Sequence, residues 1–103
     1  MIMNFMDNNG ICTIIHADFK NETIKIENKT DFILHRAFGI NLNPTWKDFE
    51  EFLEERCFPR TRDKMKLVLK YLGIDFYDPL LIVRKTQGRM ADDTQWLEIA
   101  EDF

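Results

Sequence analysis

The sequence is short of the features that announce a compartment or a reaction. It has two cysteines, Cys12 and Cys57, far apart and without a CxxC pair. With no secretory leader in the chain either, both are expected to be reduced thiols of a cytoplasmic protein. No apolar run approaches the roughly 18 residues that cross a bilayer. No basic, then apolar, then small-residue leader opens the chain, so a soluble protein without membrane contact is expected. Positive charge is not in excess: 14 Lys and Arg face 18 Asp and Glu, a net charge of -4 with a pI near 5.1. The molecule therefore lacks the global basic footprint that drives counterion release on nucleic acid, and any such contact is confined to a local patch. Gly88 stands alone in its loop and fits neither a P-loop nor a dinucleotide fingerprint, which leaves nucleotide cofactors without support. Internal repeats, low-complexity tracts and linkers are also missing.

What remains is a globular composition, with 45% hydrophobic and 31% charged residues in 103. Such a chain is one domain, 1–103, able to bury roughly two-thirds of its unfolded surface without a staple. Residues 45–73 carry its clearest signal. Trp46, Phe49, Phe52, Leu53 and Cys57 recur at helical spacing, as do Met65, Val68, Leu69 and Leu72, so two helices with one apolar stripe each are expected to pack together. Thr45 caps the first, with Asp48 favouring its start. Pro59 forces a turn, since it lacks an amide donor and biases Phe58 away from helical dihedrals. Thr61 is expected to cap the second helix, opening at Arg62 or Asp63, and Gly73 to end it.

Residues 1–27 read as strands. Asp7-Asn8-Asn9-Gly10 is a turn cluster joining two of them. In the second, Ile11, Thr13, Ile15, Ala17 and Phe19 form the expected buried face, opposite Cys12, Ile14, His16 and Asp18. A further turn at Lys20-Asn21-Glu22 leads into a third strand, in which Ile24 and Ile26 alternate with polar residues. Residues 28–44 follow neither period and read as an irregular connection. Asp78, Pro79 and Gly88 frame a short third helix with Leu80, Leu81 and Val83 as core candidates. Residues 95–99 read as a closing strand with Trp96 and Glu98 on one face, Leu97 and Ile99 on the other. The fold class is α+β: a small antiparallel sheet of N-terminal strands plus a C-terminal strand, packed with a helical hairpin and a short third helix.

Candidate chemistry is sparse. Cys57 served by His35 or His16 is a conceivable nucleophile, but it continues an apolar stripe and reads as a small buried hydrophobe. No His or Cys pair has the spacing of a structural metal site, so neither catalytic residues nor metal ligands are assigned. Trp46 and Trp96 read as core anchors. The acids Glu50, Glu51, Glu54 and Glu55, with Asp92 and Asp93 near the tail, form a solvated face able to dock a basic partner. Arg56, Arg60, Arg62, Lys64, Lys66 and Lys70 gather positive charge at the corner. Arg56 is expected to complement the carboxyl end of the first helix, and Arg60 and Arg62 either to screen neighbouring acids or to clamp a phosphate or carboxylate.

Arg56-Cys57-Phe58-Pro59-Arg60-Thr61-Arg62 resembles the R-x-(Ile/Phe)-P-x-x-R corner of small proteins from phages and conjugative elements of Gram-positive bacteria. Gly88 to Leu97, GRMADDTQWL, resembles the G-x-S-x-x-D-x-(Tyr/Phe)-W motif that follows in those proteins and in the leading segment of HipA-like kinase relatives. Met90 stands where the motif has serine and Gln95 where it has an aromatic residue. HipA-like proteins carry their kinase machinery downstream, and with the chain ending at Phe103 no kinase, and no enzyme, is expected. The group resembled includes candidate anti-CRISPR inhibitors. The resemblance implies a non-catalytic inhibitor, monomer or homodimer, that binds a host protein: a type II CRISPR effector nuclease or its ribonucleoprotein. The alternative it implies is a regulatory module of a HipA-like toxin-antitoxin system or a transcriptional regulator.

Overall fold

The structure is a computed structural model, and it describes residues 1–91 and 93–101, with the side chain of residue 101 excluded. Strands β1 (Ile2–Asp7), β2 (Gly10–Asp18) and β3 (Thr23–Asn28) form a meander. After helices α1 (Trp46–Glu55), α2 (Met65–Leu72) and α3 (Pro79–Thr86), strand β4 (Gln95–Glu101) returns beside β1. The sheet is antiparallel throughout, in the order β3-β2-β1-β4. This is the expected α+β class, with the C-terminal strand completing the sheet.

The meander follows from local chemistry. Asn8 closes the first hairpin in the left-handed region at φ 52°, a conformation asparagine tolerates. Asp18 turns the chain toward β3 by accepting from the Lys20 and Asn21 amides. One strand face then meets the helices. Met3, Phe5, Thr13, Ile15, Ala17 and Leu97 are buried there beneath Phe49, Phe52 and Leu53 of α1 and Ile82 and Val83 of α3. Phe5 meets Phe52 edge to face at 5.2 Å.

The expected inner face of β2 holds only in part. Pairing runs Phe5 to Thr13, then Met6 to Ile11, so Cys12 is an extra residue in a β-bulge. The bulge shifts the alternation by one residue: Cys12 is buried and Ile11 is left 40% exposed. Phe19 lies beyond the strand and is also 40% exposed. Thr13, fully buried, donates to Asn28 Oδ1 and accepts from the Ala37 amide, which pins the irregular connection onto the sheet. Within that connection, residues Ile33–His35 make one turn of 3-10 helix.

Helix α1 begins as expected, with a reciprocal capping box between Thr45 and Asp48. The hydrogen bond from the Thr45 amide, with that from its side chain, holds the Asp48 carboxyl below its ordinary pKa. Helix α2 departs from expectation. Thr61 does not cap it, because residues 59–62 are spent in a turn closed by the Arg62 amide on the Pro59 carbonyl. The helix opens at Met65 instead, behind Lys64 in the left-handed region at φ 58°. Of its stripe only Leu69 is buried, and α1 finds its main helical neighbour in α3 rather than α2. The third helix is capped by Asp78 as expected, and its most buried residue is Ile82, which the sequence reading passed over. Trp96 is not part of the core. Alternation about buried Leu97 turns it outward, where its indole donates to the Asn8 carbonyl at 2.7 Å.

Candidate functional site

Arg56, at the end of α1, ties both resembling segments into one unit. Its Nε donates to the Gly88 carbonyl at 3.0 Å, one terminal nitrogen to Asp93 Oδ2 at 2.8 Å, and the other to the Gln95 carbonyl at 2.8 Å. Only 10% of the side chain is exposed. The planar guanidinium fork suits three acceptors spread along one loop, and a lysine has no equivalent geometry. Arg56 was expected to serve the carboxyl end of its own helix; its side chain instead bonds the segment leading into β4. Gly88 takes φ +62° against it, with so little room that an added Cβ would lie 3.3 Å from both Arg56 Cβ and Leu97 Cδ1. Burial acts to raise the Asp93 pKa, but hydrogen bonds from the Gln95 amide and Arg56 outweigh it and leave the carboxyl below its ordinary value. Asp93 is thus engaged in holding the fold. Asp92 lies outside the described residues.

Beyond this lock the corner is open to solvent. Arg60 donates to Glu54 at 2.9 Å, with the two side chains 57% and 47% exposed, and stacks over the Tyr77 ring at 4.4 Å. The Tyr77 hydroxyl in turn donates to the Phe58 carbonyl at 2.7 Å, which fixes the ring that Arg60 covers. Arg62 lies over Phe58 at 5.6 Å, exposed, and no ion pair engages it among the described residues.

Arg60 and Glu54 stand at the rim of a cavity of about 340 Å³. It is also lined by Phe19, Trp46, Phe49, Glu50 and Leu53 and by Asp78, Pro79 and Leu80. Phe19 meets Trp46 edge to face at 4.9 Å, and Trp46 leans on Phe49 at 5.0 Å, so the aromatic wall is a packed stack. Glu51 and Glu55 project from the next face of α1, beside a shallower cavity of about 200 Å³ that also touches Ala37, Phe38, Asn41 and Phe52. The four predicted carboxylates of α1 are exposed and form one ridge between the two cavities. Sequence reasoning missed Phe19, Tyr77, Asp78 and Leu80 as neighbours of that ridge. They come from segments that only the tertiary fold brings together.

The conceivable nucleophile is not assembled. Burial, with Glu54 and Asp78 nearby, pushes the Cys57 thiol up to about 12, so it stays protonated at neutral pH. Its Sγ donates to the Leu53 carbonyl at 3.2 Å. His35 lies 3.2 Å from Asp7 and His16 lies 3.6 Å from Glu27, each occupied away from Cys57. Among the described residues no three His, Cys, Asp or Glu side chains converge on a point that would hold a metal ion. No helix among them is long and apolar enough to cross a membrane.

Comparison with family models, with curated proteins and with solved structures finds no match to this chain.

Proposed function

We propose that this chain is a protein-docking module that acts by occupying a partner's surface, and that the partner is an RNA-guided nuclease of the type II CRISPR class. The observation that carries the docking reading is the exposed ridge of Glu50, Glu51, Glu54 and Glu55 beside the aromatic-walled cavity. Four carboxylates on one rigid helix set a negative stripe next to an apolar recess, the pairing of steering charge and buried anchor that protein interfaces use. Effectors of this class hold their heteroduplex in a positively charged channel, so an acidic ridge is complementary to the surface a nucleic acid would occupy. Choice of this partner rests on the likeness of the Arg56–Arg62 corner and of GRMADDTQWL to small mobile-element proteins.

Co-expression with an effector and its guide is the test. Survival of a targeted plasmid should rise, and Lys substitutions at Glu50, Glu51, Glu54 and Glu55 should abolish the rescue while circular dichroism shows the fold retained. Clearance at full rate across several type II effectors would refute the partner. Rescue that persists in the charge-reversed variant would refute the ridge.

A further inference from the structure

The two edges of the sheet are treated differently by the fold. On the β4 edge, the Leu97 amide donates to the Gln87 carbonyl at 2.7 Å, so part of that edge is covered from within. Among the described residues the β3 edge has no such cover. Hydrogen-bond parity shows which of its groups face out. Ala17 of β2 exchanges bonds with Met1, so Ala17 points toward β1 and its neighbours His16 and Asp18 point toward β3. The Lys29 amide donates to the Cys12 carbonyl at 2.8 Å, which independently places residues 12, 14 and 16 on the β3 side. With Ile14 opposite Glu27 and His16 opposite Lys25, residues 25 and 27 bond inward. Ile24, Ile26 and Asn28 therefore direct their main-chain groups outward. Among the described residues none of the hydrogen bonds reaches the outward amides and carbonyls of Ile24 and Ile26.

We infer that this edge pairs with β3 of a second copy of the chain, antiparallel about a two-fold axis at Ile26, to give a continuous eight-stranded sheet. The register follows from parity and charge together. Outward groups must meet outward groups, so Ile26 pairs with Ile26 of the copy and Ile24 with Asn28. That same register sets Lys25 against Glu27 of the copy, twice by symmetry. Both pairs fall at non-hydrogen-bonded positions, where opposed side chains come closest, with Cα atoms about 4.5 Å apart. A register displaced by two residues along one strand removes both charge pairs. Lys25 and Glu27 are exposed, and among the described residues the ionic neighbour of Glu27 is His16 at 3.6 Å. Ile24 and Ile26 are half-buried on the core side, where the second copy would cover their remaining surface. The contact is isologous and closes on itself, since both copies use the same edge. It uses a surface separate from the α1 ridge and does not depend on the docking reading.

Sedimentation of the full chain over a micromolar to millimolar series tests the inference. A reversible monomer-dimer equilibrium is expected. Lys25→Glu and Glu27→Lys should each raise the dimer Kd by at least about tenfold, because like charges then face each other in both pairs. An equimolar mixture of the two variants should dimerise again, since each supplies the sign the other lacks, and the double variant K25E/E27K should recover the original Kd. These are exposed positions, and thermal melts confirm that each variant is folded. A wild-type chain that stays monomeric throughout would overturn the inference. So would single variants with unchanged Kd, or two singles that fail to associate when mixed.

Discussion

Replacing Arg56 by alanine removes three donors in one step and leaves the Gly88 carbonyl, the Gln95 carbonyl and the Asp93 carboxylate without their partner. Truncating one member of a buried charge pair costs about 3–5 kcal/mol. Asp93 keeps 28% of its side chain exposed and can turn to water, so the lower end applies, about 3 kcal/mol. For a domain of this size that corresponds to a fall in Tm of about 12–24 °C. The Arg56 guanidinium also lies over the Phe5 ring at 5.4 Å, so part of the loss is a cation–π contact. Arg56→Lys should recover less than half of it, because one ammonium cannot reach three acceptors set in a plane. Arg60→Ala is the control. Its bond to Glu54 joins two half-exposed side chains, and the cost should stay under about 1 kcal/mol. Urea melts give the free energies, and amide exchange at Leu97 reports whether β4 loosens first. An Arg56→Ala cost no larger than that of Arg60→Ala would refute the lock.

Three further outcomes follow from the same geometry. Gly88→Ala should cost about 2 kcal/mol, from a left-handed backbone that alanine resists and a Cβ forced against Arg56 and Leu97; a melt within experimental error of wild type would contradict it. Native Cys57 should react with iodoacetamide at pH 8 only as fast as the chain opens, since its thiol lies near 12, and rapid labelling without unfolding would refute the burial argument. Asp93 has a folded pKa below its unfolded one, so its contribution is present above the unfolded carboxylate value near 3.9 and is lost as pH falls through the folded value. Asp93→Asn should therefore flatten the acid limb of the stability curve below about pH 4, and an unaltered limb would show that the carboxylate is not differentially held.

The sequence by itself determined whatever depends on neighbours along the chain. The Asp7–Gly10 turn, the Thr45 and Asp48 capping box, Asp78 ahead of Pro79, and the left-handed Gly73 and Gly88 are local chemistry, legible because each cap or turn spans at most four residues. The apolar stripe of α1 was legible for the same reason, since helical period alone selects Phe49, Phe52 and Leu53. Tertiary structure decided what those elements meet. A single inserted residue at Cys12 reversed the faces of β2 at Ile11, and no alternation pattern announces where a partner strand skips a residue. Thr61 had every local mark of a cap and was overridden by the turn the chain needed after Pro59. The role of Arg56 was beyond sequence reasoning because its three acceptors lie more than thirty residues away, where only the return of β4 to the sheet can place them. The recess beside the acidic ridge arose in the same way: Phe19, Trp46, Asp78 and Leu80 share no period, and side chains become neighbours across a fold only when packing closes the distance between their elements.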